Sequence, residues 1–197
     1  KITEGREQEI RPCVGASYCL DRVSQGADAL CLHNAATGRE ESVPHVIRKA
    51  EGPRKRVVVV GGGPAGLEAA RVSAERGHDV TLFEAGTQLG GQIRVAALAA
   101  WRKDLIGIVD WYAAQIGRLG VTIRWNVVAG RAEIEAERPD VVIVATGGLP
   151  DTNFVPGGDL ATSVWDALAG SRLTGDILVY DDNGQPAAPS CADHLAG

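Results

Sequence analysis

The residues whose types and spacing could do chemistry begin with a set of glycines. Gly61-x-Gly63-x-x-Gly66 follows the run Val57-Val58-Val59-Val60 and precedes a helical stretch from Leu67 to Glu75. Four consecutive valines suit a strand buried on both faces of a parallel sheet. Between such a strand and a helix, Gly61 permits a tight turn and Gly63 lets a pyrophosphate approach the backbone. Gly66 lets helix and strand pack closely. The helix start then offers unpaired N–H groups and about half a positive charge to the phosphates. Glu84 stands 18 residues beyond Gly66, at the end of a second expected strand, Asp79 to Phe83. A carboxylate there can accept hydrogen bonds from both ribose hydroxyls and repels a 2′-phosphate. A glycine-rich turn with an incidental acid is the plainer alternative, but strand, loop, helix, strand and acid all occur in the required order. Residues 57 to 84 are therefore read as a βαβ unit that holds the ADP part of a cofactor, with FAD favoured.

Two later glycine pairs extend this site. Gly90-Gly91-Gln92 suits a flavin protein, in which the chain must pass close to an extended dinucleotide. Ala145-Thr146-Gly147-Gly148 closes a later strand, where ligands gather in such sheets. The expected cofactor contacts are Gly61, Gly63, Pro64, Ala65, Gly66, Glu84, Ala85, Gly91, Gln92, Val128, Ala145, Thr146 and Gly147.

The second chemical signal is the array Cys13-x5-Cys19-x11-Cys31, with Cys191 far away. With no export signal legible, clustered thiols suggest a metal, either zinc or an iron–sulfur cluster. Zinc is disfavoured because no finger or ribbon spacing is present. The array is one ligand short of four. Ala16 stands where a second cysteine would complete C-x-x-C, and Asp21 or His33 is the candidate replacement. Three free thiols, or the relic of a lost cluster, is the plainer alternative. Elsewhere His33 and His45 read as structural or solvent-facing.

The elements that must position these residues follow from periodicity. Gly77 caps the first helix. Leu105, Ile108, Val109, Tyr112, Ile116 and Leu119 recur at helical spacing, predicting an amphipathic helix over 101–119. Strands are predicted at 121–125, 127–128, 141–144 (buried) and 177–180, with helices at 163–168 and 186–196. Residues 1–50 read as loop-rich. The net charge of −5 gives no electrostatic case for nucleic-acid binding. No apolar run approaches the ~20 residues of a membrane span, so a cytoplasmic protein without membrane contact is expected. The absence of Met and an ending within a helical element suggest a piece of a longer chain.

The order of parts resembles a known family. Arg11-Pro12-Cys13-Val14-Gly15, Cys19, Cys31-Leu32-His33-Asn34 and Thr37-Gly38-Arg39-Glu40 precede the glycine loop. This is similar to trimethylamine dehydrogenase, dimethylamine dehydrogenase and 2,4-dienoyl-CoA reductase, with N-methylproline and stachydrine-type demethylases as relatives. The resemblance covers essentially the whole chain. It implies an α/β fold: a Rossmann-like FAD/NAD(P)-binding domain of glutathione reductase type, preceded by the cysteine segment. Boundaries are expected at 1–50, 51–173 and 174–197, the last being the start of a second nucleotide-binding-like domain.

The resemblance also implies an FMN-bearing barrel before residue 1, where substrate chemistry takes place, so no catalytic residue is expected here. Cys13, Cys19 and Cys31 match three ligands of a 4Fe-4S cluster, and Ala16 departs from the pattern. Gly61, Gly63, Gly66, Glu84 and Gln92 match the site for FAD, or for ADP in its place. An external electron acceptor such as an electron-transfer flavoprotein is implied, and a homo-oligomer is compatible with it. In the second domain, Asp181, Asn183 and Pro186 stand where pyridine-nucleotide binders place another glycine fingerprint. The carboxylates of Asp181 and Asp182 there oppose a pyrophosphate, a solvated turn being the plainer alternative for the pair. An N-methylated amine or amino acid dehydrogenase or demethylase is therefore favoured over an NADPH-fed dienoyl or enoate reductase. A nucleotide-binding structural module without an active cluster is the remaining reading.

Overall fold

The computed structural model describes all 197 residues. Strands β1 (Arg56–Val60), β2 (Asp79–Glu84), β3 (Thr122–Trp125) and β4 (Val141–Val144) form one sheet in the order β3-β2-β1-β4, and every pairing is parallel. Parallel neighbours need crossover connections. Helix α2 (Pro64–Glu75) joins β1 to β2, while α3 (Gln92–Ala96) and α4 (Ile106–Arg118) lie between β2 and β3. Before the sheet come short 3-10 turns and α1 (Tyr18–Ser24). Three further helices are α5 (Arg131–Ala136), α6 (Val164–Leu168) and α7 (Ala187–Ala196).

The valine run explains the layering. Successive side chains of a strand point to opposite faces. Val57 and Val59 enter the larger core with Leu67, Ala70, Leu82, Ile108 and Ile116, so α2 and α4 cover that face. Val58 and Val60 join Phe83 on the other face, under Val127, Ala129 and Ile134. Burying each such aliphatic side chain contributes roughly 1.5–3 kcal/mol. The end of α2 closes as Gly77 predicts: its φ is 96°, and His78 N–H donates to the Ser73 carbonyl at 3.1 Å.

Several expectations are corrected. The helix expected from Trp101 begins as a 3-10 turn over Ala100–Leu105 and becomes α-helical at Ile106, because the apolar repeat starts only at Leu105. Val127 and Val128 form no strand: Asn126, at φ 57°, turns the chain out of the sheet. β4 forms as expected but is not buried, since it is an edge strand and Val144 is 71% exposed. Residues 177–180 form no strand, because that stretch has no ladder partner. Helices α3 and α5 are additions that periodicity did not reveal.

Glycines on two helices make opposite predictions. A Cβ on Gly66 would lie 1.9 Å from the Gly61 carbonyl oxygen, whereas one on Gly117 would meet nothing within 4 Å. Gly66→Ala should therefore destabilise by about 1–3 kcal/mol through overpacking. Gly117→Ala should stabilise by up to about 1 kcal/mol through helix propensity. Denaturant unfolding of the two variants checks both signs.

Candidate dinucleotide-binding cleft

The carboxyl ends of the strands open into a cleft of about 610 Å³. At its centre β1 runs into Gly61, whose φ is 105° and whose Cβ would meet the Ala145 carbonyl oxygen at 2.4 Å. The loop after β1 and the loop after β4 can be neighbours only because this side chain is missing. A Cβ on Gly63 would meet nothing within 4 Å, so the backbone there faces open space in the cleft. Helix α2 begins at Pro64 with no side-chain cap, leaving its first amides available to a ligand. An anion is the chemistry that such a terminus favours.

Glu84 lies at the end of β2. One carboxylate oxygen accepts the Gly62 N–H at 2.9 Å and the other accepts the Gly86 N–H at 2.7 Å. These bonds fix its orientation while leaving lone pairs for further donors. On the opposite flank, Gln92 Nε2 donates to the Gly148 carbonyl at 2.9 Å, tying α3 to the loop after β4.

Twelve of the thirteen expected contact residues line this cleft: Gly61, Gly63, Pro64, Ala65, Glu84, Ala85, Gly91, Gln92, Val128, Ala145, Thr146 and Gly147. Gly66 lies behind the lining, where it packs against Gly61. Gly62, Ile93, Val95, Leu149 and Trp165 also line the cleft and were not anticipated. The glycine run offered a signal for Gly62. The apolar four carry no chemistry of their own, and only the topology brings them to the strand ends.

The cysteines are placed differently. Cys13 and Cys19 are exposed and Cys31 is half-buried. No group of three or more His, Cys, Asp or Glu side chains is arranged to hold a metal ion. Ala16 packs against the main apolar core, and Asp21 lies on α1. His33 is 3% exposed, edge-on to Trp111 and Tyr112. Its ring is thus committed to α4, and burial holds it below its ordinary pKa. This donor set does not fit a four-thiolate cluster. Cys191 is buried in α7, and burial pushes its thiol up.

The turn before α7 also has a defined structure. The Asp181 carboxylate accepts the amides of Asn183 at 3.2 Å and Gly184 at 3.0 Å. Asn183 Oδ1 accepts the Gln185 amide at 2.9 Å, and Pro186 has no N–H. The amides of Asn183, Gly184 and Gln185 are therefore engaged within the turn.

Residues 55–172 match the family model described as pyridine nucleotide-disulphide oxidoreductase. The chain belongs to that family. It is 54% identical over 198 residues to "Probable N-methylproline demethylase" of Rhizobium meliloti (strain 1021), covering 100% of this chain and 29% of the relative. It is 49% identical over 206 residues to N,N-dimethylglycine/sarcosine dehydrogenase of Chromohalobacter salexigens, covering 100% of this chain and 30% of that protein. Among solved structures, 6-hydroxypseudooxynicotine amine oxidase from Pseudomonas geniculata N1 superposes with a TM-score of 0.90 at 31% identity, covering 100% of this chain and 32% of that one. The resemblance read from the motifs is thus borne out across the chain. The chain spans under a third of the length of the curated relatives it matches. No helix is long and apolar enough to cross a membrane.

Glu84 gives the site its sharpest prediction. Glu84→Ala should weaken ADP binding by about tenfold, the loss expected for one charge-assisted bond. It should also narrow the preference for ADP over 2′-phospho-ADP. Calorimetric titration of wild type and variant with both ligands measures the two effects.

Proposed function

We propose that this chain is the cofactor-holding portion of a flavin-dependent oxidoreductase that acts on an N-methylated amine or amino acid. Its own task is to bind FAD through the ADP half. The alignment of Gly63, the uncapped start of α2 and Glu84 along one cleft carries this reading. The adenosine ribose would lie at Glu84, with the adenine towards Val128. The diphosphate would lie over Gly63 at the start of α2.

The choice of FAD over ADP rests on the sheet order. Glu84 and Val128 follow β2 and β3, whereas Ala145 to Leu149 follow β4 on the other side of β1. A diphosphate at the central loop leaves the β4 side of the cleft to whatever is attached beyond it. That side is lined by Ile93, Val95, Leu149 and Trp165, an apolar seat suited to a flat ring system. Bound flavin supplies hydride and one-electron chemistry. The residues of this chain position it and exclude water from its apolar end. Gln92 holds the two sides of the seat together.

The substrate reading rests on the demethylase and dehydrogenase relatives and on the turn at Asp181. With the amides of Asn183, Gly184 and Gln185 engaged and the Asp181 and Asp182 carboxylates in the same turn, a pyrophosphate is opposed there, which favours amine oxidation with an external acceptor over reduction driven by NADPH. Nothing in this role depends on an iron–sulfur centre.

The purified chain, stripped of bound nucleotide, is titrated with FAD, ADP, FMN and NADPH. One FAD should bind per chain, about tenfold or more tighter than ADP because of the added apolar contact. FMN and NADPH should bind far more weakly. Equal affinity for FAD and ADP would remove the flavin seat, and tight NADPH binding would overturn the preference for amine oxidation.

A further inference from the structure

Helix α4 is covered on two sides. Leu105, Ile108, Val109 and Ile116 belong to the core against the sheet. Gly107, Trp111 and Gln115 are spaced four apart and form a second stripe, with Tyr112 beside it. The N-terminal segment runs along this stripe in the opposite direction. A Cβ on Gly107 would lie 3.3 Å from Val14 Cγ1 and 4.0 Å from Pro12 Cγ, so those residues rest on that glycine. The Arg11 guanidinium stacks 4.2 Å from the Trp111 ring centre. Further along, Gln115 Nε2 donates to the Gln8 carbonyl at 3.3 Å.

Arg11 does more than stack. It donates to Tyr112 Oη at 3.3 Å and pairs with Glu68 of α2 at 3.2 Å. It also donates to the His33 carbonyl, and His33 Nδ1 bonds the Pro12 carbonyl at 3.1 Å. One cation therefore joins two stretches of the segment, around residues 11–12 and at 33, to two helices of the cofactor domain. Only 14% of its side chain is exposed. A buried cation needs such a full set of partners, because it is costly when left unpaired.

We infer that the cysteine-bearing segment is docked on α4 by side chains alone, with Arg11 as the pin, so that no metal is required to hold it there. Cys13 lies between the two residues that rest on Gly107, and Cys31 lies two before His33. Their position is thus set by the clamp. The same helix bears on the cofactor loop from another side, since a Cβ on Gly90 would lie 2.6 Å from Val109 Cγ2. α4 is the common support of the segment and of Gly90-Gly91-Gln92.

Hydrogen exchange and thiol alkylation on the full chain test this. Arg11→Ala should speed exchange across residues 8–34 and alkylation of Cys31 by about tenfold or more, while peptides of β1 and β2 stay protected. Arg11→Lys keeps the charge facing Glu68 but loses the planar stack and fork, and should fall between. Wild type treated with a chelator and a thiol reductant should be unchanged. The inference is overturned if chelation alone frees the segment, or if Arg11→Ala exchanges like wild type. Should Arg11→Ala also expose β1 and β2, Arg11→Lys decides: exchange equal to wild type overturns the pin, and selective loosening of 8–34 supports it.

Discussion

The first turn of α2 sits against the Gly61 carbonyl with no room for a methyl group between them. That close approach sets the geometry of the cleft. It brings the start of the helix, with its uncapped amides, to the end of the central strand beside the open cleft at Gly63. A side chain at position 66 would push the helix away and withdraw those amides. A side chain at position 61 would drive the β4 loop, with Ala145, away from the centre. The surface proposed to hold the phosphates is thus made mainly of backbone, and it exists because side chains are missing at chosen positions.

Polar order elsewhere complements this. Burial works against ionisation of Glu68, but hydrogen bonding and charge from Arg71, and then Arg11, outweigh it and hold the carboxyl below its ordinary range. Burial also leads the causes that push the Tyr112 hydroxyl well above its usual range, so it stays protonated as Arg11's neighbour. Around these groups α2, α4 and the N-terminal segment become one unit. The helix that backs the glycine pair at 90–91 is therefore braced from the side remote from the cleft.

Much of this was legible in the residues. The valine run, the glycine spacing and Glu84 are all local signals, and each determines a backbone conformation or a partner within one βαβ unit. Val128 was anticipated in the cleft, yet its strand was not formed. The turn at Asn126, a residue tolerant of positive φ, sends it there instead. The apolar lobe at Ile93, Val95, Leu149 and Trp165 was not legible, because it is assembled from distant segments by the strand order. The cysteine spacing suggested metal ligation, but the fold commits Ala16 to the core and His33 to α4. Likewise, four apolar residues at β4 read as a buried strand, whereas at the sheet edge Val141, Val142 and Val144 are exposed and only Ile143 packs partly against the core.

The central claim is that the loop after β1 and the start of α2 hold a diphosphate. Calorimetric titration of the nucleotide-free chain with ADP and with adenosine tests it most directly, since the two ligands share the base and ribose and differ only in the phosphates. ADP should bind at least about 100-fold more tightly, in line with several hydrogen bonds to charged oxygens and the helix dipole. Equal affinities for ADP and adenosine would contradict the account.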